Sequence, residues 1–503
     1  MRLDELFDGI EYGFIQGDMD VDVTDISIDS RLTEKGDLFV ATVGASADGH
    51  DYIEQAISRG AVAALIQSDR SERLPLSFPN GAPQDFTILS VPDTREILSA
   101  LVNRLCGDPA RKFRLIGITG TNGKTSVAAM LDHILRFADH KTGLLGTIDN
   151  YCGGEALRVR RTTPTTPDCV ELGHIMSQMA EANVDDLIME VSSMGLKTGR
   201  VNALTFDVGV FTNLSPEHLD DHKTMEDYRA SKLKLFPLSE YAVVNLDDPF
   251  SAVVRKNARG EVLGYAIKNK EGSGLFAENI SYTGDGVSFD MVYELEESAE
   301  RVSLGTPGEF AIYNALAATG AALRLGVAFP QIAAALREKI DIPGRFEVIR
   351  SGGISAIVDY AHTAEALENL LTAVRGNPRY SRIISVFGCG GDRDPGKRAP
   401  MGRISGRLAD YTVITSDNPR TEDALAIIDG IVAGIQNSGG DYEVELDRQK
   451  AIEKAIAGAT PGTAVVISGK GHEDYQIIGH EKIHFDDREI VRTVFERIGG
   501  VES

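Results

Sequence analysis

One run of residues constrains this chain more than any other: Leu115, Ile116, Gly117, Ile118, Thr119, Gly120, Thr121, Asn122, Gly123, Lys124, Thr125, Ser126. A short apolar strand runs into a glycine-rich turn. From Val127 a helical pattern follows, with Ala128, Ala129, Met130, Leu131 and Ile134 on its apolar positions. Glycines let backbone N–H groups converge on an anion, and the helix N-terminus adds partial positive charge. Lys124 supplies a mobile cation, and the Thr125 hydroxyl suits Mg²⁺. Strand, loop and helix in this order point to an α/β fold holding a nucleoside triphosphate, with Gly120, Thr121, Asn122, Gly123, Lys124, Thr125 and Ser126 around the phosphates. One departure stands out. The strict phosphate-loop spacing wants glycine where this chain has Ile118, and glycines sit at 117 and 120 instead. The plainer alternative is a glycine-rich turn with an exposed lysine.

A prior of about 150 residues per domain gives roughly three domains in 503 residues. They are expected at 1–107, 108–340 and 341–503. The balance of 51 Lys+Arg against 75 Asp+Glu leaves −24, a field that repels nucleic acid and anionic membrane, although a local basic pocket can still hold a phosphorylated ligand. Cys106, Cys152, Cys169 and Cys389 match no metal-ligand spacing and read as thiols in a reducing compartment. The first residues lack a basic region followed by an apolar one, and no apolar run approaches the roughly 18 residues of a membrane span. A cytoplasmic monomer without membrane insertion is expected.

From Val21 to Pro92, short apolar segments alternate with a helical stretch over Tyr52 to Arg59 that Gly60 ends, giving a small separate α/β unit. Two clusters within it, Ser27 to Arg31 and Asp48 to Tyr52, could hold a diphosphate, although turn chemistry explains them equally well. In the middle of the chain, Thr162, Thr163, Pro164, Thr165, Thr166, Pro167 and Asp168 form either an ordered loop offering hydroxyls or a rigid linker. Asp186 to Glu190 is a buried strand ending in a carboxylate. In an open parallel sheet such an end faces the ligand, which makes Glu190 a candidate Mg²⁺ ligand. The loop Asn213 to His222 carries two histidines four apart, and its neighbouring carboxylates favour Mg²⁺ over zinc.

Taken together, Gly117 to Thr125, the threonine-proline loop, Met189 to Ser193, Asn213 to His222 and Tyr313, Asn314, Ala315 resemble, in the same order, the Mur ligases, ATP-dependent amide ligases of bacterial peptidoglycan synthesis. Asp29 to Arg31, Gly36 to Ala41 and Asp48 to His50 are similar to the branch that adds the third peptide residue to UDP-MurNAc-L-Ala-D-Glu. The resemblance covers nearly the whole chain. It implies a UDP-binding N-terminal α/β domain, a central ATPase domain with a parallel sheet and a Rossmann-like C-terminal α/β domain. It also implies roles. Lys124, Glu190, His218 and Lys232 would serve catalysis, and Thr125, Glu190, His218 and a carbamylated Lys232 would hold Mg²⁺. Asn314 and Arg345 would join the phosphate loop in binding ATP. Ser30, Thr163, Thr165, Thr166, Ser192 and Arg200 would meet the UDP-MurNAc-dipeptide. Met194 and Gly195 depart from the His-Ala pair usual in the family.

The C-terminal stretch repeats the strand-then-helix alternation, with informative loops at Asp392 to Arg398, Asp417 to Arg420 and Gly469 to Tyr475. An incoming amino acid with an amine and two carboxylates needs guanidinium forks and a carboxylate, which Arg393, Arg420 and Glu473 supply. In the family, Asp417, Asn418, Pro419 and Arg420 resemble the version that selects meso-diaminopimelate, with Gly469 also in the pocket. A surface salt bridge is the bland alternative for Arg420. The implied reaction converts the D-Glu γ-carboxylate to an acyl phosphate, which the diaminopimelate amine then attacks, with domain closure about a turn near Pro343. The rival readings are a lysine-adding or folate-type ligase and a P-loop NTPase switch that makes no amide bond.

Overall fold

A computed structural model describes residues 1–44, 47–73, 85–157, 163–284 and 286–500; Thr162 of the threonine-proline loop lies outside them. The chain divides into two compact units, one of Met1–Gly117, His140–Gly209 and Ser231–Glu240, the other of Ile118–Asp139, Val210–Ala230 and Tyr241–Ser503.

The N-terminal sheet contains β1 (Gly13–Gln16), β2 (Ile26–Ser27), β3 (Leu38–Val40), β4 (Ala63–Gln67) and β5 (Thr87–Val91), ordered β1-β5-β4-β3-β2. All neighbours are parallel except β1, which runs against β5. Alternate residues divide between two cores, as the period of a strand requires. Leu38, Val40, Leu65 and Leu89 pack with Leu98 and Leu101 of the Thr94–Leu105 helix, while Phe39, Ile66 and Ile88 pack with Ile53 and Ala56. The helix Ile53–Arg59 ends at Gly60, whose φ of +107° supplies the left-handed cap the sequence called for.

The central sheet has eleven strands: β6 (Arg114–Thr119), β7 (Thr142–Leu145), β8 (Asn150–Cys152), β9 (Glu155–Ala156), β10 (Asp186–Glu190), β11 (Phe206–Phe211), β12 (Ser239–Asn245), β13 (Glu261–Ala266), β14 (Leu275–Thr283), β15 (Gly286–Tyr293) and β16 (Ser298–Leu304). Their order is β16-β15-β14-β13-β12-β11-β6-β10-β7-β8-β9. Pairing is parallel for β10/β7, β12/β13 and β13/β14, and antiparallel ribbons, β14 to β16 and β7 to β9, finish the two edges. The helix Lys124–Phe137 follows β6 and buries Val127, Met130, Leu131, Ile134 and Leu135 on one stripe. Each such side chain contributes about 1.5–3 kcal/mol of burial. The alanine-rich helix Glu309–Arg324 packs against it.

The C-terminal sheet runs β17-β18-β22-β19-β20-β21, from β17 (Glu347–Ser351), β18 (Ile354–Asp359), β19 (Arg382–Phe387), β20 (Tyr411–Ile414), β21 (Tyr442–Val444) and β22 (Thr463–Ser468). It is parallel apart from the β17/β18 pair. Ile357 and Val466 face one layer of helices through Leu367, Leu371 and Ile431, and Val358, Val465 and Ile467 face the other through Ile452, Val491 and Phe495. Covering both faces explains why these strands are apolar without alternation. A separate hairpin joins β23 (Tyr475–Ile478) and β24 (Glu481–His484). Among the described residues no helix is long and apolar enough to cross a membrane.

Candidate active site

In the second unit the phosphate loop is built by close approach. Gly120 has φ +154°, and a Cβ there would sit 1.9 Å from Thr212 Oγ1. That contact explains why glycine falls at 120 and not 118, since Ile118 is a buried strand residue. Gly123, at φ +88°, is the N-cap of the Lys124–Phe137 helix, and a Cβ on it would come 2.5 Å from Asn314 Oδ1. The loop is held from the end of β11. Asn122 N donates to Asn213 Oδ1 at 2.8 Å, and the Asn122 carbonyl accepts from Thr212 Oγ1 at 2.7 Å and Asn213 Nδ2 at 3.1 Å. Thr121 Oγ1 shares a hydrogen bond with Tyr228 Oη at 3.1 Å. Lys124 Nζ donates back to the carbonyls of Gly120 and Thr121, both at 2.9 Å, so its ammonium lies across the cradle. Arg345 Nη2 donates to Thr125 Oγ1 at 3.2 Å, with the guanidinium 4.3 Å from the Tyr360 ring centre. Ser126 lies in the first turn of the Lys124–Phe137 helix. Thus Lys124, Thr125, Asn314 and Arg345 converge on one loop.

Beside them lies a group that the sequence pattern left without a role. Glu217 Oε1 and His362 Nε2 are 2.9 Å apart, and Glu217 Oε2 is 3.6 Å from His218 Nε2. Burial alone would raise the Glu217 carboxyl. The His362 hydrogen bond and the charges of His362, His218 and Lys124 outweigh it and hold the group far below the usual carboxylate range. His218, Asp220 and Asp221 offer ligand atoms within 4.8 Å of one another. One imidazole with two carboxylates is a donor set that fits a hard divalent cation.

In the first unit a different cluster surrounds Glu190. Its carboxylate is buried and accepts from Thr147 N at 2.8 Å and Thr147 Oγ1 at 3.0 Å, and the Thr147 hydroxyl meets Thr165 Oγ1 at 3.2 Å. Thr166 Oγ1 donates to the Glu190 carbonyl at 3.0 Å and accepts from Ser192 N at 2.8 Å. The Thr166 carbonyl accepts from Thr163 Oγ1 at 2.6 Å and Arg200 Nη1 at 2.7 Å. The threonine-proline loop, Glu190, Ser192 and Arg200 therefore form one network. Asp168 closes it by capping the Cys169–Glu181 helix. Lys232 is buried at the end of the Met225–Leu233 helix. Ser30 stands elsewhere in this unit, donating to Gln55 Oε1 at 2.7 Å. The nearby Asp48–His50 pair has a fold role, because His50 Nδ1 meets Asp48 Oδ1 at 2.5 Å while Nε2 accepts from Gln67 N at 2.9 Å.

The C-terminal loops, all in the second unit, gather Asp417, Asn418, Glu473 and a buried Lys470. Asn418 Nδ2 donates to Glu473 Oε2 at 3.0 Å, and its Oδ1 accepts from Ile477 N at 2.9 Å. A Cβ on Gly469, at φ +114°, would come 2.9 Å from Asp417 Oδ2. Past Pro419, Arg420 adopts φ +53° and is anchored through Nη1 to the Gly391 carbonyl at 2.7 Å. Its own N–H donates to Ile477 O at 3.1 Å, so the β23 strand steadies this loop. Arg393 is exposed and donates to the Asp392 carbonyl at 3.2 Å. Burial, then the Asp417 charge, raises the Glu473 carboxyl above its usual value. Sequence reasoning missed Thr147, Glu217, His362 and Lys470; the available signal for each was its place just past the end of a strand or in a loop already singled out.

Three family models match this chain: "Mur ligase family, catalytic domain" over residues 22–105, "Mur ligase middle domain" over 118–322 and "Mur ligase, glutamate ligase domain" over 344–471. Among similar proteins is the UDP-N-acetylmuramoyl-L-alanyl-D-glutamate--2,6-diaminopimelate ligase of Clostridium botulinum, 40% identical over 99% of this chain and 100% of that protein. The protein of the same name from Alkaliphilus metalliredigens is 41% identical over 99% and 98%. A solved structure of a ligase of that name superposes with a TM-score of 0.69 at 29% identity, covering 99% of each chain.

Proposed function

Because the chain belongs to the Mur ligase family, we propose that it is the ATP-dependent ligase that joins meso-diaminopimelate to UDP-MurNAc-L-Ala-D-Glu in peptidoglycan synthesis. The observation that carries this reading is likeness along the entire length to relatives named for that activity, at about 40% identity. The geometry supports it through three chemically distinct sites. The phosphate loop with Lys124, Thr125, Asn314 and Arg345 suits ATP. The threonine network around Glu190, Ser192 and Arg200 suits a polar, anionic substrate. The C-terminal set of Glu473, Asp417, Asn418 and Arg420 suits an amino acid bearing both charges. Ser30, with its surrounding loop, is the proposed contact for the uridine end.

A carboxylate is a poor acylating agent, so the D-Glu γ-carboxylate attacks the γ-phosphorus of ATP, forming an acyl phosphate and releasing ADP. The amine of the second substrate then attacks the acyl carbon and phosphate leaves. Lys124 and the loop N–H groups neutralise charge developing on the transferred phosphoryl group. Arg345 ties the phosphate loop to the start of the C-terminal sheet, and the Thr163–Arg200 network orients the dipeptide. Thr125 and His218, with Asp220 and Asp221 nearby, would hold Mg²⁺, as would Glu190 and a carbamylated Lys232. A bound cation would supply Lewis-acid stabilisation of phosphate oxygens. In place of lysine, whose side chain ends in an amine alone, a substrate with a distal carboxylate satisfies Arg420. Arg420 is only partly buried, so leaving its guanidinium without an anion costs less than the roughly 3–5 kcal/mol of a fully buried ion.

The test is phosphate release from ATP by the purified protein with Mg²⁺ and UDP-MurNAc-L-Ala-D-Glu, adding diaminopimelate, L-lysine or no amino acid. Release is expected to require both the dipeptide and diaminopimelate. Release with lysine instead would overturn the specificity, and release indifferent to both substrates would leave only an NTPase.

A further inference from the structure

Lys470 has no exposed surface and no role in the scheme above. It sits in the loop after β22, where Nζ donates to Asn418 Oδ1 at 3.1 Å and lies 3.4 Å from both Asp417 Oδ1 and Glu473 Oε2. The Tyr475 ring centre is 5.6 Å away. Asn418 is oriented by this contact: with Oδ1 turned to the ammonium and to Ile477 N, its Nδ2 faces Glu473 Oε2. One buried ammonium therefore fixes two carboxylates and an amide at once. A lysine that served only to neutralise one neighbour would need a single carboxylate.

Charge accounting gives the arrangement a direction. Lys470, Arg448, Asp417 and Asp487 are buried here and Glu473 is partly so, and Arg448 is bound bidentately to Asp487 at 2.8 and 2.7 Å. With the Arg448–Asp487 pair closed on itself, Lys470 is the ion-pair partner of both Asp417 and Glu473, while the Lys397 charge also acts on Asp417. In the absence of a further cation, burial and the Asp417 charge make Glu473 hold its proton more tightly. Within this contact set two carboxylates share one ammonium, which suits the approach of a ligand ammonium to Glu473.

We propose that Lys470 is a positioning residue for the amino-acid substrate: it draws Asp417, Asn418 and Glu473 together so that the Glu473 carboxylate receives one ammonium group of an incoming diamino diacid. The inference deepens the proposed ligase activity and rests on it. Without Lys470 the two carboxylates would face each other with no cation between them. A single ligand ammonium could not balance both, and Glu473 would bind a proton in its place.

The test measures phosphate release against diaminopimelate concentration, with ATP and UDP-MurNAc-dipeptide saturating, for wild type, Lys470→Met, Glu473→Gln and the Lys470→Met/Glu473→Gln double variant. Lys470→Met is expected to raise KM for diaminopimelate about tenfold or more while KM for ATP and for the dipeptide stays within about twofold. Because Lys470 acts through Glu473, the double variant should show a KM close to that of Glu473→Gln alone, the two effects failing to multiply. A general loss of folded protein would lower kcat and leave all three KM values in place, and that result overturns the proposal. So does an unchanged KM for diaminopimelate, a multiplicative double variant, or failure of both Lys470 variants to fold, since Lys470 would then serve the fold. If Lys470→Met alone fails to fold, the double variant compared with Glu473→Gln decides. Wild-type protein that does not respond to diaminopimelate defeats the ligase reading itself; wild type that responds beside an unaltered Lys470→Met defeats only this inference.

Discussion

At Gly120 the loop has no room for a β-carbon. An added methyl would meet Thr212 Oγ1 at 1.9 Å and the Asn213 backbone at 3.1 Å, and these two residues are the ones that hold Asn122. Gly120→Ala must therefore push the phosphate loop away from the end of β11. Overpacking of this kind costs about 1–3 kcal/mol, and the same displacement moves the carbonyl that anchors Lys124 Nζ. The expected result is a rise in KM for ATP of about tenfold or more with a lower melting temperature. Gly107→Ala is the control, because Gly107 also has a positive φ, +77°, but nothing lies within 4 Å of its added carbon. Equal effects from the two substitutions would show that backbone strain, and not the Thr212 contact, governs the loop.

Elements that pack both faces were legible in the sequence, because their apolar runs and bounding turn residues are local signals. β10 lies where the apolar run from Asp186 to Glu190 puts it, and the Ile53–Arg59 helix ends at Gly60 as expected. β1 was not legible. It is an edge strand whose residues are mostly exposed, so burial imposes no pattern on it. The ribbon of β14 to β16 escaped for a different reason: its alternation is interrupted by polar and charged residues at half-buried positions, such as Glu300 in β16. Site partners far apart in sequence were equally hidden. Glu217 and His362 stand 145 positions apart, and only the C-terminal sheet brings the histidine to the carboxylate. Another such tie joins two helices, the one beginning at Arg448 and the one beginning at Asp487. Arg448 and Asp487 are fully buried and bidentate, and Arg448 Nη2 also donates to Ser468 O at 3.0 Å, at the end of β22. Asp487→Asn leaves the guanidinium without its counter-charge and should cost about 3–5 kcal/mol. Replacing both partners with apolar residues, Arg448→Met with Asp487→Leu, should cost less. Urea unfolding of the full chain reads both. An Asp487→Asn loss below about 1 kcal/mol would mean that water or another group already compensates Arg448.

Over the whole molecule the net charge is −24, yet the proposed substrates ATP and UDP-MurNAc-dipeptide are anions. The two facts pull in opposite directions. Long-range repulsion acts over the Debye length, about 30 Å at 0.01 M salt and about 8 Å at 0.15 M. The cations that would bind the substrates, Lys124, Arg200 and Arg345, act at hydrogen-bond range, where salt screens them less. Adding monovalent salt at constant excess Mg²⁺ should therefore remove repulsion sooner than it weakens binding. For each anionic substrate kcat/KM is expected to rise by about two- to threefold between those ionic strengths. The amino acid, which carries both charges, should show a smaller change. This is the reverse of the fall with salt seen where a protein steers an oppositely charged ligand. A fall here would mean that the local field of Lys124, Arg200 and Arg345 reaches beyond the acidic surface and captures the anions from solution. Initial rates at limiting ATP, and separately at limiting dipeptide, across that salt range distinguish the two.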